Sequence, residues 1–201
     1  MSIINEIEAK YSVRSFSAVR KALRGAGAKY LGTVLQTDQF YEKPDRAFRR
    51  SGCGLRLRCI KILKRGDVRG DSRPLITFKG PIRGNSGTKI RREIETKLDC
   101  ATAAAELFCA LGLRPTMTIQ KSRSSYKLGR CLIELDELPL LGKFIEIEGI
   151  SERNVETTRK RLGIRDRHIP QSYLRLLTDR CRELKITSDV VTFERFPRTK
   201  E

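Results

Sequence analysis

Tryptophan is missing from this chain of 201 residues, aromatic residues of all kinds make up 6%, and His168 is the single histidine. A Cys–His or Ser–His catalytic pair would therefore have to use His168, which lies in the basic stretch RDRHIP and reads as a surface residue in a loop before a helix. The six cysteines (Cys53, Cys59, Cys100, Cys109, Cys131 and Cys181) form no CxxC pair, and no histidine stands at ligand spacing from any of them. That argues against a zinc centre. No run approaches the roughly 18 apolar residues of a membrane span, and the opening MSIINEIEAKY lacks a basic segment followed by an apolar stretch. The expectation is a cytoplasmic protein without a membrane partner, whose cysteines are reduced, small core residues. Acid is scarce too: Asp plus Glu number 24 against 42 Lys plus Arg, a net charge of +18. The expected partner is an anion, whether nucleic acid, a phosphorylated metabolite or an anionic surface.

What is present is enough apolar residue, 39%, for a real core. Segments 3–11, 54–62, 74–80, 88–97, 117–127, 130–137 and 143–149 alternate apolar and polar with period two and read as strands. Helical spacing predicts helices over about 16–30, 99–112, 151–162 and 171–185, with Ser15 or Ser17 and Ser151 as N-caps and Gly163 just past the third. No shift in composition marks a linker, so residues 1–185 read as one domain and 186–201 as a loose tail.

The polar faces of these strands are almost all charge. Side chains two apart share a face, which groups Glu6, Glu8 and Lys10; Arg56 and Arg58; Thr77 and Lys79; Lys89, Arg91, Glu93 and Glu95; Lys121 and Arg123; Glu134 and Asp136; Glu146 and Glu148. A sheet with one apolar and one densely charged face suits a barrel closed around the charge. The alternative is a solvated face carrying surface salt bridges, each worth only about 0–1 kcal/mol. Concentrated carboxylates repel without divalent cations between them, and concentrated Arg and Lys repel without a bridging anion. A metal-bound polyphosphate satisfies both sets.

These residues resemble a known family. EIEAK, with Glu6, Glu8 and Lys10, is similar to the ExExK signature of the CYTH superfamily, the triphosphate tunnel metalloenzymes. Its companions follow in order: QTDQFYEKPDRAFRRSGCGLRLR, TFKGP, KIRREIE, QKSRSSY, LIELDELPLLGKFIEIEG and SYLRLL, together spanning residues 6–177. KPDRAF and KIRREIE are most similar to the branch of class IV adenylyl cyclases. The resemblance implies an α+β fold: an eight-stranded antiparallel β-barrel with a charged lumen and helices packed outside. It also implies that Lys10, Arg56, Arg58, Lys79, Arg91, Lys121 and Arg123 grip a triphosphate, that Glu6, Glu8, Glu146 and Glu148 bind Mg²⁺ or Mn²⁺, and that Lys10 and Asp136 are the candidate catalytic residues. Glu93, Glu95 and Glu134 are further tunnel acids. For Arg91, Glu93, Glu95 and Asp136, direct ligation, support from behind and barrel-holding salt bridges stay open. The implied reaction is conversion of ATP to cAMP and pyrophosphate, with hydrolysis of an inorganic or organic triphosphate as the alternative. The missing tryptophan argues against the thiamine triphosphate branch, expected to stack the vitamin on one. A non-catalytic RNA- or polyphosphate-binding module is the remaining alternative, and the paired carboxylates argue against it. The oligomeric state stays open, a homodimer being one option.

Overall fold

The computed structural model describes residues 2–66, 72–83 and 89–197, with the side chains of 2–6, 82, 83, 89 and 90 outside the description. Among the described residues nine strands and five helices follow in the order β1 (Ser2–Val13), α1 (Phe16–Gly25), β2 (Lys29–Glu42), α2 (Ala47–Arg50), β3 (Gly54–Arg65), β4 (Leu75–Arg83), β5 (Lys89–Lys97), α3 (Ala101–Ala110), β6 (Arg114–Leu128), β7 (Cys131–Leu138), β8 (Gly142–Gly149), α4 (Glu152–Arg161), α5 (Tyr173–Glu183) and β9 (Val190–Val191). The sheet runs β2-β3-β4-β5-β1-β8-β7-β6, and β2 also pairs with β6. Every one of the eight antiparallel strands therefore has a neighbour on both edges, and the sheet closes on itself as expected.

Alternation decides what faces where. Ala9, Tyr11, Ile133, Leu135, Ile145 and Ile147 point outward from β1, β7 and β8, where Phe16, Val19 and Leu23 of α1 and Val155 of α4 cover them. Each such fully buried aliphatic contributes roughly 1.5–3 kcal/mol. Outward residues Tyr41, Leu55 and Leu57 are covered by Ala104 and Phe108 of α3. A third cluster joins Met117, Ile119, Leu138 and Phe144 of the barrel to Tyr173, Leu177 and Cys181 of α5 and to Val191. The charged faces are left to the interior.

Four expectations need correction. The first helix stops at Gly25, because Ala26 caps it and Gly27 turns the chain at φ 73° into β2. Residues 186–197 of the tail are docked, 198–201 lying outside the described residues: β9 runs parallel to β6, the Thr118 amide donates to the Asp189 carbonyl at 2.7 Å, the Phe193 amide donates to Gln120 Oε1 at 3.1 Å, and Val191 is buried. Only Cys131 and Cys181 are core cysteines, while Cys59, Cys100 and Cys109 are exposed on outer faces. His168 is half-buried, its ring edge-on to Tyr11 with centroids 6.1 Å apart. Among the described residues no helix is long and apolar enough to cross a membrane.

Candidate active site

The barrel encloses a cavity of about 330 Å³ lined by the inward rows of all eight strands and by the start of α5. Strand register sets the side chains opposite one another: Lys10 faces Glu146 and Glu8 faces Glu148 across β1 and β8, Glu134 faces Glu146 across β7 and β8, and Arg123 faces Asp136 across β6 and β7. On the other side Arg56 faces Thr77, Thr77 faces Glu95, and Lys79 faces Glu93. Each expected tunnel residue from Glu8 to Glu148 except Asp136 lines the cavity directly; Asp136 lies behind it, fully buried. The Glu6 side chain lies outside the described residues.

Asp136 organises one wall. Its carboxylate accepts from Arg123 Nε at 2.7 Å and Nη2 at 2.5 Å, and from Lys121 Nζ at 3.2 Å. Arg123 Nη2 also reaches Glu146 Oε2 at 2.6 Å, and its Nη1 pairs with Glu134. Lys10 Nζ sits 3.3 Å from Glu146 Oε1, donates to the Gln171 carbonyl at 3.0 Å and lies 4.0 Å from the ring centre of Tyr173. Burial and the neighbouring Arg123 guanidinium pull the Lys121 ammonium down to about 8. Burial pushes the Glu134 carboxyl up and holds the Tyr173 phenol well above its ordinary range.

Asp38 organises the opposite wall. It accepts from Arg58 Nε at 2.6 Å and Nη2 at 2.7 Å, with Arg56 Nη1 at 3.6 Å. Burial disfavours its charge, yet the Arg58 and Arg56 guanidiniums win and hold the carboxyl well below the usual carboxylate range. Arg56 Nη2 donates to Thr77 Oγ1 at 3.0 Å, and that hydroxyl donates on to Glu95 at 3.0 Å. Lys79 pairs with Glu93. Arg91 is tied to the rim, donating to the carbonyls of Gly80 at 2.5 Å and Gly52 at 2.9 Å. Among the described residues the buried Nε of Arg56 has no hydrogen-bond partner. An unmatched buried donor beside a cluster of cations suits an anion as the missing partner.

For a metal, the donor chemistry fits. Glu8 and Glu148 are directly opposed carboxylates, an arrangement that is unfavourable by itself and that supplies the hard oxygen ligands Mg²⁺ or Mn²⁺ select. Among the described residues no three acidic side chains converge as a ligand cluster, and Glu146 is engaged by Lys10 and Arg123.

Asp38, Gln36 and Tyr173 are buried at or behind this site and were not selected from sequence. β2 carries polar residues on both faces, so its period-two signal is absent; its aromatic and β-branched content (Tyr30, Thr33, Val34, Thr37, Phe40, Tyr41) is the cue that could have revealed it. Tyr173 reads from spacing as one more core residue of a helix.

A closed barrel with cations and acids converging on its lumen is the architecture of a triphosphate tunnel. The CYTH domain matches residues 5–170, and the chain belongs to the CYTH family. Members of this family are mostly enzymes acting on ATP or other triphosphates, and they generally use divalent cations. The chain is 30% identical over 150 residues to a proposed adenylate cyclase of Methanocaldococcus jannaschii, covering 74% of this chain and 79% of that one. The solved PH1819 protein of Pyrococcus horikoshii OT3 is 27% identical with a TM-score of 0.72, covering 87% of this chain and 98% of that one. A Hippeastrum adenylyl cyclase-like protein is 17% identical with a TM-score of 0.67, covering 87% and 95%, a likeness of fold.

Proposed function

We propose that this chain is a divalent-metal-dependent enzyme that holds ATP by its triphosphate inside the barrel and converts it to cAMP and pyrophosphate. The observation that carries the tunnel reading is the convergence of Lys10, Arg56, Arg58, Lys79, Lys121 and Arg123 from four strands on one cavity, with a buried Arg56 donor left over. Cations in such density are held apart from mutual repulsion by Asp38, Glu93, Asp136 and Glu146. Phosphate oxygens entering the cavity would join or replace those carboxylates as partners. The planar forks of Arg56, Arg58 and Arg123 suit two oxygens each, and Lys10 and Lys121 act as point charges.

Cyclisation forms a bond from the ribose 3′-oxygen to the α-phosphorus and breaks the α–β bridge. The tunnel cations would hold the chain in line and take up the charge that grows on the departing pyrophosphate. When bound at Glu8, Glu148 and their neighbours, the metal would supply charge neutralisation and activation of the attacking hydroxyl. The M. jannaschii relative's name supports the cyclase reading.

Hydrolysis is the second reading, because the same grip needs only a positioned water, and the Hippeastrum protein is described as having a dominant triphosphatase activity. Incubation with ATP, GTP, inorganic triphosphate and thiamine triphosphate under Mg²⁺ or Mn²⁺, with separation of products, decides between them. Cyclic AMP with pyrophosphate is the expected result. ADP with orthophosphate, and no cyclic nucleotide under either metal, replaces the cyclase with a hydrolase.

A further inference from the structure

Tyr173 is not one of the charged residues that grip or ligate, yet it lines the tunnel and stands against two of its cations. Lys10 Nζ lies 4.0 Å from its ring centre and Lys121 Nζ 5.0 Å. All three side chains are buried. Two ammoniums drawn to one ring repel each other, and the electron-rich face of an aromatic ring offsets that repulsion most strongly where water is excluded.

The chain delivers the ring to this place with little freedom. The Ile169 amide donates to the Lys10 carbonyl at 2.8 Å and Lys10 Nζ donates to the Gln171 carbonyl at 3.0 Å, so the loop before α5 is registered on Lys10 itself. Ser172 caps α5 by accepting from the Arg175 amide at 3.3 Å, which makes Tyr173 the first helical residue. Phe144 meets the ring edge-on, centroids 5.3 Å apart and planes at 75°, and Leu177, one turn further on, is fully buried. The buried phenol oxygen has no hydrogen-bond partner among the described residues, where a buried tyrosine ordinarily has one. Packing therefore fixes the ring, and the hydroxyl does not.

We propose that Tyr173 is a positioning residue of the tunnel: its ring holds the Lys10 and Lys121 ammoniums in place for phosphate oxygens, so that the ligand need not order two long side chains. The inference rests on the tunnel reading above. Arg58 and Arg123 are oriented by two-point bonds to Asp38 and Asp136. A lysine has no fork to be gripped in that way, being a point charge on a flexible stem. The ring supplies the further restraint that these two lack.

The test is calorimetric titration of the full chain with inorganic triphosphate and Mg²⁺, at a temperature where melting curves show each variant folded. Tyr173→Leu and Tyr173→Met each remove the ring and keep an apolar side chain, and either should weaken binding about tenfold, whereas Tyr173→Phe should bind within about twofold of wild type. In a chain already carrying Lys121→Met the loss from Tyr173→Leu should shrink to about threefold, because only Lys10 remains to be held. A general loosening of α5 would cost the same with or without Lys121. Unchanged binding without the ring, a loss in Tyr173→Phe equal to that in Tyr173→Leu, or an undiminished loss in the Lys121→Met chain overturns the assignment and leaves the tunnel standing. Failure of wild type to bind triphosphate overturns the tunnel reading, and the role of Tyr173 with it.

Discussion

The two walls of the tunnel are built from the same residue types and differ in how tightly those residues are held. On the β6–β7–β8 side, Lys121, Arg123, Asp136 and Glu146 are at most about a tenth exposed and share a continuous net of charged hydrogen bonds. On the β3–β4–β5 side, Lys79 is 24% and Glu95 35% exposed, and contacts pass one at a time from Arg56 through Thr77 to Glu95. The first wall is assembled before any ligand arrives, at the desolvation cost of burying several charges. The second is open enough for solvent, and a ligand, to compete. Electrostatic preorganisation belongs to the closed wall and adaptation to the open one.

The largest expected effect comes from breaking the closed wall. Asp136→Ala leaves Lys121 and Arg123 buried with fewer carboxylates, and should cost about 3–5 kcal/mol in denaturant unfolding. Glu95→Gln, on the open wall, should cost no more than about 1 kcal/mol. Similar losses from the two substitutions would erase the distinction between the walls.

Next come the cations themselves. Arg56→Ala and Arg123→Ala each remove a charge-assisted contact worth about 1.5–3 kcal/mol to the bound triphosphate, a loss of roughly 10- to 100-fold in kcat/KM. Arg123→Ala should also lower the melting temperature, because it strips Asp136, Glu134 and Glu146 together. Arg56→Ala should lower it less. Glu8→Gln should abolish metal-dependent turnover with the fold intact, and near-normal activity in that variant would remove Glu8 from the metal set.

How much of this was legible in the sequence follows from where the period-two signal survives. β1, β7 and β8 have one apolar face under α1 and α4, so alternation exposed Lys10, Glu134, Asp136, Glu146 and Glu148 as inward. β2 has polar residues on both faces because its inward side carries Gln36 and Asp38 and its outward side Thr37 and Gln39, and no pattern of hydrophobicity can assign it. Its Asp38, itself buried, anchors Arg58 and Arg56 behind the open residues Lys79 and Glu95. Arg91 was legible as inward, yet only the fold brings the carbonyls of Gly52 and Gly80 within its reach. The docking of residues 186–197 depends on two valines and a few backbone bonds along β6, too short a segment to carry periodicity.

A smaller effect is the pH response, in which both walls gain stability with rising pH but in different windows. The Lys121 ammonium titrates at about 8 in the fold against about 10.4 for an unperturbed lysine. Between those values the unfolded chain holds the extra proton, so this group makes stability rise with pH across that window. Triphosphate affinity should fall over the same rise as the cation is lost, and Lys121→Met should flatten both trends. Asp38, held low by Arg58 and Arg56, contributes stability above the ordinary carboxylate range that is lost as pH falls below about 4 and its carboxyl is protonated. Asp38→Asn should remove that acid limb in a melt series and leave the alkaline one.

The smallest effect is expected far from both walls. Lys160 on α4 is 71% exposed and pairs with Glu156 at 3.5 Å. Lys160→Ala should change stability by no more than about 0.5 kcal/mol, and should leave kcat/KM within twofold of wild type, in contrast to every tunnel cation. A polyanion-binding surface makes the opposite demand. If the +18 charge served to hold RNA or polyphosphate along α4, loss of Lys160 would weaken binding across all sequences and shallow its dependence on salt by about one ion. Titration of a single-stranded RNA without a 5′-triphosphate, at two salt concentrations, measures this directly. An unchanged salt slope places the functional charge inside the barrel, where carboxylates stand among the cations; a reduced one moves it to the helix, where Glu8 and Glu148 would have no task.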